Sequence, residues 1–110
     1  MKKVLSALVL IAIAFLVSQR AFAKDNSANG NAGEAEFKQH CAVCHPDGEN
    51  IINPKKTLHK KDLDANSVKT STDIIKKMRN PGPGMSQFDE KTISDQEAKK
   101  IAEYVLKTFK

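Results

Sequence analysis

Residues 37–51, FKQHCAVCHPDGENI, set two thiols and an imidazole within five positions, at Cys41, Cys44 and His45. Cys-x-x-Cys-His is the attachment signal of c-type haem. The spacing has a mechanical reason: the two thiols can add to the two vinyl groups on one edge of a porphyrin, and His45 is then carried beneath the plane as the proximal iron ligand. Three other uses of these residues are weaker. A thioredoxin-like CxxC needs a surrounding βαβ pattern, and none is present. Zinc wants four ligands, and Cys41, Cys44 and His45 are too adjacent to close a tetrahedron unless His59 or His40 serves as the fourth. A disulfide suits an oxidising compartment but leaves His45 unexplained. The stretch therefore predicts one covalently attached haem c per chain.

The amino-terminal segment sets the compartment. Lys2 and Lys3 precede an apolar run over 4–17, and Ala21-Phe22-Ala23 supplies a small-x-small cleavage signature, so residues 1–23 read as an export signal that is removed. The run is 14 residues long, short of the roughly 18 that a spanning helix needs. No stable membrane insertion is expected after cleavage, and the periplasm is the expected location. Losing Lys2, Lys3 and Arg20 takes the formal net charge from +5 to +2. The remaining lysines alternate with acids, which argues against a nucleic-acid partner. Residues 24–30, KDNSANG, are small and polar and form a flexible lead-in to one domain over 31–110.

That domain has one Tyr and no Trp, so its core is thin and a cofactor would help to build it. The pattern is all-α. GEAEFKQH (33–40) is helix-compatible and leads into Cys41, while HPDGENIINPKK is loop-like around Pro46, Gly48 and Pro54. TLHKKDLDANSV carries one short helix. TSTDIIKKMRN begins with hydroxyl caps and Asp73, places Ile74, Ile75 and Met78 on one face, and stops at Pro81. Ser94 to Glu97 form a capping box ahead of a stripe of Ala98, Ile101, Tyr104, Val105, Leu106 and Phe109.

Taken together, Gly33, Phe37, the CAVCH motif, Gly48, Asn50, Pro54 with Lys56-Thr57-Leu58, Ile75, Asn80, Met85, Phe88 and Tyr104 make the chain resemble the class I monohaem cytochromes c. The likeness is greatest to the c-six type of photosynthetic lumens and to c-six-like relatives in the envelopes of metal-reducing bacteria. It implies a small helical wrap around one haem, with the first and last helices crossing at Gly33, Phe37 and Tyr104. It also implies that Met85, in the stiffened loop NPGPGMSQF, is the distal iron ligand. Ser86 and Gln87 stand where the family commonly has Pro and a small residue, a departure that bears on the rigidity of this loop. Met78 reads as core filler.

By the same likeness the Pro54 carbonyl, or that of Asn53, accepts the second ring N–H of His45, and Phe88 covers the haem on the methionine side. His59, among lysines, reads as a solvated surface residue. His40 is held beside the attachment site. Lys77 falls where c-six relatives often carry a Gln beside the haem. The implied function is a monomeric electron carrier that shuttles single electrons between redox proteins by outer-sphere transfer, and not an enzyme. The alternative is a five-coordinate or bis-His haem protein acting as a peroxidase or gas sensor. Against it, Arg79 is the only arginine beyond residue 23, so little is at hand for peroxide cleavage.

Overall fold

A computed structural model describes residues 31–110; the predicted export signal and lead-in lie outside the described residues. The elements are α1 (Asn31–His40), a 3-10 turn (Pro46–Gly48), α2 (Lys60–Ala65), α3 (Ser71–Arg79) and α4 (Asp95–Thr108), with no strand among the described residues.

Helices α3 and α4 start where their capping chemistry dictates. The Asp73 carboxylate accepts the backbone N–H groups of Lys69 and Thr70 at 3.0 and 2.9 Å, while the Thr70 hydroxyl accepts the Asp73 N–H at 3.2 Å. Those donors, Lys69 N–H first, hold the Asp73 carboxyl below its ordinary range. Ser94 and Glu97 exchange the same reciprocal bonds at 2.9 and 3.3 Å and open α4. Asn80 caps α3 just before Pro81, whose missing N–H and ring cannot continue the helix.

The apolar stripes bury as their spacing requires. Ile74 and Met78 of α3 meet Ala98, Ile101, Ala102 and Val105 of α4 in one core with Phe37, Leu63, Val68, Ile93 and Phe109. Full burial of Ile93, Ile101 and Val105 stabilises the fold by on the order of 1.5–3 kcal/mol per side chain. Helix α4 packs on both α1 and α3. At the α1 crossing, Phe37 lies 5.3 Å from the Tyr104 ring and 5.4 Å from Phe109. The residues between these helices, 41–58 and 81–88, are left to wall a cavity.

Candidate haem-binding site

Helix α1 does not stop cleanly at the motif. Cys41 N–H donates to the Phe37 carbonyl at 2.8 Å, and Cys44 N–H and His45 N–H both reach the Cys41 carbonyl, at 3.1 and 2.9 Å. This extra turn brings Cys41, Cys44 and His45 to the wall of one cavity of about 280 Å³. Both thiols are unbridged. Burial pushes the Cys41 thiol up to about 11. Among the described residues no group of three or more His, Cys, Asp or Glu side chains is placed to hold a metal ion.

His45 is buried, at 9% exposure. Its Nδ1–H donates to the Glu49 carbonyl at 2.8 Å. That bond settles the tautomer and leaves the Nε2 lone pair free to bind iron. The partner differs from the expected Pro54 or Asn53 carbonyl, and the reason is local. Asp47 and Gly48 adopt left-handed φ values of 53° and 80°, and the tight turn they form folds the Glu49 carbonyl back over the ring. Meanwhile 50–56 closes on itself: Asn50 Oδ1 accepts from Ile52 and Asn53, and the Asn53 carbonyl is taken by Lys56 N–H at 2.9 Å. Pro54 is exposed and is not among the residues that wall the cavity. Only glycine fits at position 48, because a Cβ there would lie 2.6 Å from the Phe109 ring.

The loop 81–88 supplies Pro81, Gly82, Pro83, Gly84, Met85, Ser86 and Phe88 to the same cavity. Gly84 takes a φ of 91° with Ile52 beneath it. Met85 is 36% exposed, whereas Met78 is in the core at 3%. Phe88 lines the cavity and meets the His40 ring edge-on at 6.2 Å. His40 also lines the cavity, with Nε2 3.5 Å from Glu36.

His59 lies at the surface, as expected, and is also paired there. Its Nε2 meets Glu49 Oε1 at 3.0 Å and its ring packs 5.8 Å from Phe109, away from the cavity. Lys56 and Lys77 both reach the lining. Sequence reasoning missed Val43 and Ile52, exposed apolar residues at the cavity, although an Ile-Ile pair in a polar loop was a signal. It also missed the Glu49 carbonyl, for which no spacing rule exists.

The lining fits a haem. It offers two thiols three residues apart, the buried His45 imidazole with His40 also on the wall, one thioether sulfur, and an apolar bed that includes Leu58, Leu63, Val68 and Ile74. A strandless wrap of this kind around a CxxCH-walled cavity is that of the class I cytochromes c. A family model described as "Cytochrome C oxidase, cbb3-type, subunit III" matches residues 28–105. Cytochrome c6 of Rippkaea orientalis is 36% identical over 108 residues, spanning 96% of this chain and 93% of that protein. Among solved structures, the outer membrane cytochrome F (OmcF) of Geobacter sulfurreducens is 45% identical, covers 71% of this chain and 99% of its own, and superposes with a TM-score of 0.69. Cytochrome c6 of the diatom Phaeodactylum tricornutum is 37% identical, with coverages of 72% and 92% and a TM-score of 0.66.

The chain belongs to the class I monohaem cytochromes c, as a cytochrome c6-like member. It carries covalently bound haem c and is an electron carrier.

Proposed function

We propose that this chain is a periplasmic carrier whose haem is thioether-linked through Cys41 and Cys44, with His45 and Met85 as axial ligands. The observation that carries the reading is the convergence of all four side chains on one cavity. Bound there, the haem supplies a one-electron ferric–ferrous couple whose potential is raised by His/Met ligation.

The protein's own contribution is positional. The Glu49 carbonyl holds the His45 ring in one tautomer, and the buried surroundings of His45 exclude water. Pro81 and Pro83 stiffen the approach to Met85, and Gly84 supplies the positive φ that the turn requires. With two protein ligands on the metal, no position is left for substrate, so this is transfer without bond chemistry in the chain itself.

The partners are other redox proteins, met briefly. Ile51 is exposed at 64% and lies off the cavity wall, and Lys55, Lys56 and Lys77, near it in sequence or at the cavity wall, suit a partner with an acidic rim.

The test is the absorption spectrum of the mature protein from a haem-attaching host. Sharp c-type bands on reduction are expected, with a weak far-red sulfur-to-iron band in the oxidised form that disappears in Met85→Ala. Haem bands without that sulfur feature would replace Met85 with a histidine or an open position. No haem would return Cys41 and Cys44 to another use.

A further inference from the structure

The loop that carries Met85 returns to the last turn of α3 and is tied there three times. Phe88 N–H donates to the Met78 carbonyl at 2.9 Å. The Gln87 side-chain amide donates to the Arg79 carbonyl at 2.9 Å. The Arg79 guanidinium donates through Nη1 to the Phe88 carbonyl at 3.1 Å and through Nη2 to Asp95 at 2.7 Å. Arg79 is largely buried, with 17% side-chain exposure, whereas 82–87 are all exposed.

We infer that Gln87 and Arg79 are positioning residues that clasp the carboxyl-terminal foot of this loop, hold Met85 on the iron, and limit access of added ligands to that coordination position. The inference rests on Met85 being the distal ligand. Before Met85, stiffness is written into the backbone: Pro81 and Pro83 each have a fixed φ. After Met85 nothing comparable exists, since Ser86 and Gln87 have no restricting ring. Restraint on that side must come from hydrogen bonds, and Gln87 is two residues from the sulfur. Its amide orientation is not ambiguous, because a carbonyl acceptor requires the NH₂ end. The clasp also joins α3, the loop and the first residue of α4 through one guanidinium. A Met85 that leaves the iron must therefore strain or break these bonds.

The consequence is measurable as competition. An added ligand binds only the fraction of molecules in which Met85 is off, so its apparent dissociation constant reports that fraction. Losing one net hydrogen bond should raise the open fraction about fivefold.

The experiment is an imidazole titration of the oxidised holoprotein, followed by the far-red sulfur-to-iron band, on the wild type, Gln87→Ala, Gln87→Met and Arg79→Lys. Gln87→Met keeps length without a donor. The expected result is that half-saturating imidazole falls about fivefold in both Gln87 variants, with melting unchanged because the side chain is exposed. A larger fall is expected for Arg79→Lys, which cannot reproduce the forked contact. Gln87 variants that bind imidazole like wild type, or whose weakening only tracks a lower melting temperature, overturn the inference while Met85 ligation stands. A wild-type protein with no sulfur band overturns both.

Discussion

Gly33 of α1 lies directly against the carbonyl of Lys100 in α4, with Tyr104 alongside, so that an added Cβ would overlap the Lys100 oxygen and sit 3.0 Å from the Tyr104 Cβ. The close approach is what lets the Phe37 and Tyr104 rings meet at 5.3 Å. Gly33→Ala should force the helices apart and destabilise the holoprotein by about 1–3 kcal/mol, measured by denaturant unfolding, with the haem spectrum unaltered. A variant as stable as wild type would show that the crossing yields easily.

The two methionines of the described region should separate cleanly. Met78→Ala leaves a cavity in the α3–α4 core and should cost about 2–5 kcal/mol while the sulfur-to-iron band remains. Met85→Ala should abolish that band at a smaller stability cost. Loss of the band in Met78→Ala with its retention in Met85→Ala would reverse the assignment.

Asp73 adds a pH dependence. Its carboxyl is held low, chiefly by the Lys69 N–H and then by the Thr70 hydroxyl and N–H. A depressed folded-state value means stability that is fully present above the ordinary carboxylate value of about 4 and lost as the pH falls through the lower folded value. Asp73→Ala should therefore be less stable than wild type at neutral pH. The two unfolding curves should converge as the pH falls through that lower folded value; a gap of constant size from neutral pH into acid would assign the loss to something other than the ionised cap.

Haem is expected to be a large part of the core. Cys41→Ala with Cys44→Ala should leave a largely unfolded chain, read as weak far-ultraviolet circular dichroism without a cooperative melt. Native-like helicity in that variant would mean that the α1–α4 and α3–α4 contacts suffice alone.

Lys77 lines the cavity, and its cation should favour the ferrous state over the more positive ferric one. Lys77→Gln should lower the midpoint potential by on the order of tens of millivolts, the scale of a unit charge about 10 Å away between protein-like and water-like screening. It should also flatten the salt dependence of transfer to an acidic partner. A potential and a salt slope both equal to wild type would make Lys77 an ordinary solvated lysine.

Much of this molecule was legible along the chain because the relevant interactions are short in sequence. The Thr70–Asp73 and Ser94–Glu97 boxes span three residues, and the α3 and α4 stripes follow one helical period, so both were readable and both are present. The same holds for Met78 in the core and for the attachment triplet on one turn. The departure at Ser86 and Gln87 was also visible, but its meaning was not. A family proline stiffens a backbone locally, whereas Gln87 acts through the Arg79 carbonyl eight residues away, which no spacing rule describes.

The sequence by itself determined the covalent chemistry, the helix starts and the choice of buried faces, because each follows from groups a few bonds or one helical turn apart. Only the tertiary structure decided which carbonyl orients His45, where His40 and His59 sit, and what holds the foot of the Met85 loop. Those outcomes depend on where backbone oxygens and ring edges point after α1, α3 and α4 have packed. The left-handed turn at Asp47 and Gly48, seated on Phe109 from the far end of the chain, brings Glu49 rather than Pro54 to the imidazole.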